Sequence, residues 1–343
     1  MFKAMFYEPL GEKRVHCYLC NHHCSIRNEN CGRCAVRENQ AGTLYSLVYG
    51  KIIAHHVDPI EKKPLFHFYP GSLSHSIATI GCNFRCSFCQ NFHISQAPRE
   101  KSAIFGQEMS PEEIIKEAKH YHCKSIAYTY TEPTIFYEFA YDVAKLAHKA
   151  GLKNVFITNG YITEEALRTI SPYLDAANID LKGFTEEFYQ KICGARLQPV
   201  LDSIRLHKEL GIWIEVTTLI IPSLNDSENQ LRGVAEFLWD LGEEIPWHIT
   251  QFYPTYKLTD KPRTPVATLR RARKIGLDVG LRYVYEGNIP RTKEENTYCY
   301  HCQALLIERA GFRIRKNVLK DSRCPYCHTE IEGIGLNEPI NLY

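Results

Sequence analysis

No stretch of this chain is apolar for long enough to cross a bilayer. The longest apolar runs, such as Val216 to Pro222, fall far short of the roughly 18–20 residues a spanning helix needs. No charge of one sign dominates either. Forty-one Lys and Arg stand against 39 Asp and Glu, a formal +2, which disfavours a nucleic-acid or membrane-surface partner. The opening Met1 to Cys17, MFKAMFYEPLGEKRVHC, is interrupted by Glu8, Glu12, Lys13 and Arg14 and so lacks the apolar stretch of a secretory leader. No internal repeat and no low-complexity tract is found, and a cytoplasmic protein is the expectation. The 343 residues, 44% hydrophobic and 23% charged, suffice for a buried core in two or three units of about 150 residues.

Cysteine is what the chain has in excess. There are fourteen, and a reducing compartment does not keep disulfides. They fall into three sets, a pattern that points to metal. Cys123 and Cys193 stand apart and read as packed thiols. At the C-terminus, Cys299-x2-Cys302 and Cys324-x2-Cys327 are two pairs separated by 21 residues. Two such turns facing each other make a tetrahedral four-sulfur site, most simply zinc. The segment Leu305 to Leu319 between them supplies the strands of a zinc ribbon. At the N-terminus, Cys17, Cys20, Cys24, Cys31 and Cys34 crowd together with His16, His22 and His23. Five thiols exceed a four-ligand site, and their softness suits zinc or an iron–sulfur cluster.

The central set, Cys82-x3-Cys86-x2-Cys89, follows the apolar run Ile77–Ile80. Three thiolates can hold three irons of a [4Fe–4S] cube and leave the fourth open to a small molecule. Downstream, strand-like runs alternate with helical patterns. Strands are expected at Ile77–Ile80, Ser125–Tyr130, Asn154–Thr158, Ala176–Leu181, Trp213–Ile220 and Trp247–Phe252, with a further one at Leu281–Tyr285. Helices are expected at Pro111–His122, Ile135–Ala150 and Gln230–Leu241, the first opened by Ser110 as N-cap and Pro111 at N1. Such alternation predicts parallel βα units.

The C-x3-C-x2-C motif with Phe88 before its last cysteine resembles the signature of radical S-adenosylmethionine (SAM) enzymes. That resemblance implies an α/β fold, a partial TIM-like (β/α)6 barrel, with Cys-rich metal-binding modules at both termini. It implies a [4Fe–4S] cluster on Cys82, Cys86 and Cys89 whose open iron is chelated by SAM. Electron transfer from the cluster, fed by a donor of flavodoxin or ferredoxin type, then cleaves SAM to a 5′-deoxyadenosyl radical that abstracts hydrogen. Active residues of such barrels sit at the C-terminal ends of strands. By position in the family, Thr131 and Glu132 match the motif that holds the SAM amino group, and Lys182, in Asp180-Leu-Lys182, faces the SAM carboxylate. Thr158-Asn159-Gly160 is similar to a segment of the activating-enzyme branch that reads Asp-Thr-Asn-Gly; Ile157 replaces that Asp, which removes the basis for a monovalent cation. The Ile221–Asp226 turn is expected near the adenine and Tyr253 on the SAM side, whereas His248 reads equally well as a core histidine.

Taken with Gly32-Arg-Cys34, His56-Val-Asp-Pro-Ile-Glu-Lys-Lys-Pro-Leu65, Phe68-Tyr-Pro-Gly71 and the C-terminal pairs, the order of motifs is similar to the radical SAM component of the AmmeMemoRadiSam system. Such proteins are often named as pyruvate formate-lyase activating enzyme homologues. The likeness implies Cys17, Cys20, Cys24 and Cys34 as the N-terminal ligand set, with Cys31 the extra thiol. It also implies Memo-like and AMMECR1-like partner proteins. The expected organisation is a metal-binding lead-in over 1–70, the barrel over 71–290 and a zinc-ribbon-like module over 291–343. Glu61, Lys62 and Lys63 are expected either at the barrel mouth or on a solvated loop. The alternative function is a metal-binding scaffold without radical chemistry.

Overall fold

The computed structural model describes residues 1–289 and 293–338. Its centre is a nine-stranded sheet. In chain order its strands are β1 (Lys51–Pro59), β2 (Leu73–Thr79), β3 (Gln107–Glu108), β4 (Ser125–Tyr128), β5 (Lys153–Thr158), β6 (Ala176–Asp180), β7 (Trp213–Ile220), β8 (Trp247–Gln251) and β9 (Val284–Gly287). The spatial order is β9-β8-β7-β6-β5-β4-β2-β1-β3. From β2 through β9 every neighbouring pair is parallel, as strand–helix alternation requires. β1 and β3 add an antiparallel edge. The result is an arc of seven parallel strands, the six expected plus the further one, with two edge strands that the sequence reading missed.

Helices cover the outside: α1 (Pro111–His120), α2 (Tyr137–Lys149), α3 (Glu164–Ile170), α4 (Gln198–Glu209), α5 (Glu228–Leu241) and α6 (Val266–Val279). Ser110 closes a capping box with Glu113 ahead of α1, and Pro111 occupies its first turn, where a missing N–H costs nothing. The expected helix Ile135–Ala150 is instead a 3-10 turn over Pro133–Phe136 leading into α2. The parallel strands are buried on both faces; β4, for instance, has no accessible residue. That is why their sequences read as apolar runs and not as alternation.

The segment His56–Leu65, expected as a mouth-lining or solvated loop, is in its first part strand. His56 to Pro59 complete β1, and Ile60–Lys62 form a 3-10 turn. Glu61 and Lys63 are buried, at 1% and 2% exposure, so the solvated-loop reading is corrected for both.

The two Cys-rich ends are built differently. Residues 1–46 form two small antiparallel sheets whose apolar residues, among them Leu19, Ile26 and Val36, belong to the same core as the barrel. The C-terminal hairpin, Leu305–Ala310 with Arg313–Asn317, pairs with Thr297–Tyr298. Its residues Leu306, Ile307 and Ile314, with Leu336 beyond it, make a separate core against Phe66, Tyr283 and Tyr285. The expected boundary at 290/291 and residues 339–343 lie outside the described residues.

Candidate active site

The end of β2 sets the site. Gly81 takes φ +104°, and a Cβ there would sit 2.7 Å from Val36 Cγ1, so only glycine lets the chain turn so close to the N-terminal module. Cys82, Cys86 and Cys89 follow on the loop. Arg85 and Ser87 donate backbone N–H groups to the carbonyls of Cys193 and Ile192, at 2.9 and 3.0 Å. Those acceptors end a π-helical turn, Tyr189–Cys193, a rare form that often marks functional sites. The neighbouring Cys193 thiol, together with burial, pushes Cys86 well up. Cys193 is therefore attached to the central cysteine set and is not an isolated packed thiol; Cys123 is simply buried.

Arg99, which the sequence reading passed over, holds the loop from the other side. It donates to the carbonyls of Cys82, Phe84 (3.0 Å) and Arg33 (2.9 Å). His22 donates to the Asn83 carbonyl at 2.9 Å. Burial lowers the His22 imidazole to about 4, so it is neutral at pH 7. Nothing in the spacing of Arg99 or His22 along the chain marks them; only the fold brings them to residues 82–84.

Beside the three thiols is a cavity of about 590 Å³ lined by Cys82, Cys86, Phe88 and Cys89 and by Thr131, Glu132, Asn159, Asp180 and Lys182. Nine of the ten residues expected at the cluster and SAM site therefore face one space, at the C-terminal ends of β2, β4, β5 and β6. The tenth, Tyr253, does not line it. Its hydroxyl donates to Gln251 and to the Asn288 carbonyl, and its ring lies under Arg263. The Ile221–Asp226 turn is also absent from the lining; Asn225 there donates to the Lys182 carbonyl at 2.8 Å and so supports the site from behind. His248 is buried against Glu215 at 2.6 Å, the core histidine reading.

Electrostatics divide the cavity wall. Glu132 is 1% exposed, and burial raises its pKa. Its oxygens accept from Thr134 N–H (3.0 Å) and hydroxyl (2.6 Å), Thr158 Oγ1 (2.8 Å) and Asn159 N–H (2.8 Å). It thus caps the 3-10 turn and ties β4 to β5 at once. Asn159 in turn donates to Asn83 Oδ1 at 2.7 Å, linking that junction to the cysteine loop. Opposite, Lys182 Nζ lies 2.8 Å from Asp180 and 5.8 Å over the Phe88 ring. Burial works against its charge, but Asp180 and the Cys86 thiol hold its pKa well above the usual value.

Lys62, Lys63, Tyr130 and Phe312 also line the cavity. Lys63 and Lys62 reach the Asp58 carboxylate at 2.6 and 2.7 Å, and Tyr130 donates to it as well. Burial lowers Lys63 to about 8. Phe312, exposed at the tip of the C-terminal hairpin, was not anticipated. A Gly-Phe tip gives no signal until the hairpin's docking is known.

The donor set suits the group its motif implies. Three soft thiols share one loop and border a cavity whose size is in the range that holds small ligands. That arrangement fits a cluster with three protein ligands and one metal facing the cavity. The other two sets differ. Cys299 and Cys327 Sγ lie 3.6 Å apart, as do those of Cys302 and Cys324. All four sulfurs are within 4.8 Å of one another, close to the about 3.8 Å expected for thiolates about 2.3 Å from one tetrahedral ion. The Thr329 hydroxyl and backbone N–H draw Cys327 down to about 5, toward the thiolate. At the N-terminus Cys17 and Cys24 are cross-strand partners. Cys20 feels the fields of Cys17, Cys34 and Cys24, with burial the largest effect raising it. Cys31 is exposed, pairs with Glu38 and stands outside that group. All fourteen cysteines are free thiols.

Comparison with known proteins agrees with this geometry. Residues 76–238 match the model of the Radical SAM superfamily, and the uncharacterized protein MJ0808 of Methanocaldococcus jannaschii is 49% identical over 335 residues, 97% of this chain and 99% of that one. The chain belongs to the radical SAM superfamily. Within it, the pyruvate formate-lyase-activating enzyme of Clostridium pasteurianum is 26% identical over 182 residues, 49% of this chain and 72% of that protein. Among solved radical SAM structures, a methyltransferase from Sphaerobacter thermophilus superposes with a TM-score of 0.50 at 16% identity. It covers 65% of this chain and 68% of that one, a likeness of fold alone. Within the Radical SAM match fall the central cysteine loop and the strand ends of β2, β4, β5 and β6. The two terminal Cys modules and the β1 edge lie outside it. No helix among the described residues is long and apolar enough to cross a membrane.

Proposed function

We propose that this radical SAM protein is an enzyme that reductively cleaves SAM and uses the product to take hydrogen from a protein or small-molecule substrate. The observation that carries this reading is the convergence of Cys82, Cys86 and Cys89 with Asn159, Asp180 and Lys182 on one cavity. When bound, a [4Fe–4S] cluster supplies the electron for cleaving SAM. The chain's own residues do the rest. Cys82, Cys86 and Cys89 hold the cluster, and Phe88 keeps water from that side. Lys182, its charge secured by Asp180, offers N–H donors to the SAM carboxylate. The SAM amino group would share the Glu132 carboxylate with its four internal donors, so Glu132 acts as much through placing Asn159 and Thr158 as through contact. Lys62, Lys63 and Tyr130 line the same cavity and would face a bound substrate.

Glycyl-radical activation is the version that the relatives named as activating enzymes support. We also assign the chain to the AmmeMemoRadiSam system, with Memo-like and AMMECR1-like partners, a flavodoxin- or ferredoxin-type donor and a cytoplasmic site of action; the free thiols suit a reducing compartment. Zinc is the ion proposed for Cys299, Cys302, Cys324 and Cys327. For Cys17, Cys20, Cys24 and Cys34 the choice is zinc or an iron–sulfur cluster. The test is mass-spectrometric detection of 5′-deoxyadenosine from anaerobically purified protein given SAM and dithionite. Wild type should form it and Cys86→Ala should not, with the variant still folded. Equal formation by both would reject the assignment, and a wild type that binds no SAM would favour a scaffold.

A further inference from the structure

A second group of ligating side chains lies on the helix-covered side of the sheet. His55 on β1 is opposite Ile77, and His75 on β2 is opposite Val57, so the two histidines are diagonal neighbours on one face. Helix α1 packs over that face and brings Glu117. One Glu117 oxygen, Oε2, is 3.2 Å from His55 Nδ1 and 3.3 Å from His75 Nε2. The three ligand atoms lie within 4.8 Å of one another. Two ligand atoms each about 2.0 Å from a tetrahedral ion sit about 3.3 Å apart, so the present spacing needs little change to close on a metal.

His75 is what makes this more than a surface ion pair. It is 1% exposed, yet neither ring nitrogen makes a hydrogen bond among the described residues. Leaving a buried polar group so is costly, and the contact of Nε2 with Glu117 does not qualify as a hydrogen bond that would recover it. Coordination would satisfy that nitrogen, and burial keeps the ring neutral, the state a metal requires. His55 and Glu117 are about one-third exposed, which gives an ion a route in and leaves space for water as a fourth ligand. The set of two imidazoles and one carboxylate suits zinc better than calcium or magnesium.

We propose that His55, His75 and Glu117 bind one zinc ion, completed by water, that clips α1 to the β1–β2 pair. The site is separate from the three cysteine sets. It bears on the cluster because β2 runs directly from His75 into the loop carrying Cys82.

The test uses the anaerobically purified full chain, dialysed to equilibrium against buffered zinc, with metal per chain measured by mass spectrometry. His55→Gln and Glu117→Gln alter partly exposed side chains, so both variants should melt with wild type after chelation. Each should hold one zinc fewer per chain than wild type and show a smaller zinc-dependent rise in Tm, keeping only the part owed to the cysteine sites. Equal zinc content in wild type and either variant would overturn the site, whatever the activity of the cluster.

Discussion

The two Cys-rich ends look alike as sequence, yet they stand in different relations to the barrel. At the C-terminus four sulfurs already converge at single-ion spacing around a small core of their own. The module meets the rest through Phe66, Tyr283 and Tyr285 and reaches the cavity only with Phe312. At the N-terminus Cys17, Cys24 and Cys34 pack into the barrel's own core, and Arg33, Val36 and His22 touch the central loop directly or through Arg99 and Gly194. Cysteine spacing points to metal at both ends alike; which module supports the active-site loop is decided by shared core. The C-terminal module is an attachment, and the N-terminal one braces the cysteine loop without itself lining the cavity.

The largest effect that would sharpen this contrast is at Arg37. Its guanidinium is buried against Glu138 of α2 at 2.8 Å, with exposures of 2% and 1%, and Glu138 also accepts from Met5 N–H at 2.7 Å. Arg37→Met strands a buried carboxylate and should cost about 3–5 kcal/mol in denaturant unfolding. Arg37→Met with Glu138→Leu should recover much of that. The C-terminal counterpart is Arg309, which donates to the Phe66 carbonyl at 2.9 Å and Thr297 Oγ1 at 2.8 Å, with Glu61 no nearer than 4.0 Å. Arg309→Met leaves neutral acceptors unpaired and takes away the cation nearest the buried Glu61, which burial raises to about 7 so that it can take up a proton instead; the cost should be about 1–3 kcal/mol. A reversed order would break the distinction between brace and attachment.

A second comparison sets Cys20→Ser against Cys302→Ser, with two readouts, the electron paramagnetic resonance spectrum of the reduced cluster and amide exchange by segment. Cys302→Ser should loosen residues 297–331 and leave the cluster spectrum unchanged. Cys20→Ser should alter the spectrum or lower cluster content, since Cys20 bridges to Ile162 and its neighbour His22 holds Asn83. Identical spectra in both variants would mean that the N-terminal module is as independent as the C-terminal one.

Legibility followed the same divide. The parallel strands were readable because burial on both faces writes an apolar run, and Trp213–Ile220 was placed to the residue. Residues that line the cavity were legible through the family resemblance, because its motifs follow strand ends, as with Glu132, Asn159 and the Asp180–Lys182 pair. β1 was not, because an edge strand carrying His55, His56 and Asp58 lacks both an apolar run and clean alternation. Tyr253 was misplaced because the chain after β8 leaves the mouth: Gln251 accepts its hydroxyl, and the ring follows. Arg99 and Cys193 were beyond reach because their roles arise from contacts across 17 residues to the Cys82 carbonyl and through the Cys86 thiol.

The smallest expected effect concerns histidines that fold neutral at the two seams. His67 lies between barrel and C-terminal module, with Nδ1 2.6 Å from the Glu332 carbonyl and Nε2 2.6 Å from the Tyr285 hydroxyl. Burial lowers it to about 3. His22, at the N-terminal seam, is lowered by burial to about 4. Unfolded, each ring takes a proton near 6.5, whereas the folded rings refuse it until the pH is far lower. Between those values the unfolded state binds more protons, so stability is full above about pH 6.5 and falls as the pH drops toward 4. The slope is at most about 1.4 kcal/mol per pH unit for each ring. Urea unfolding at pH 7.5 and 5.5 should therefore show acid loss in wild type and a shallower loss in His67→Gln. In that variant the remaining slope belongs to His22 and the other buried rings. If replacing His67 leaves the slope untouched while replacing His22 removes it, the C-terminal seam opens before the barrel unfolds, and the attachment is looser than its core suggests.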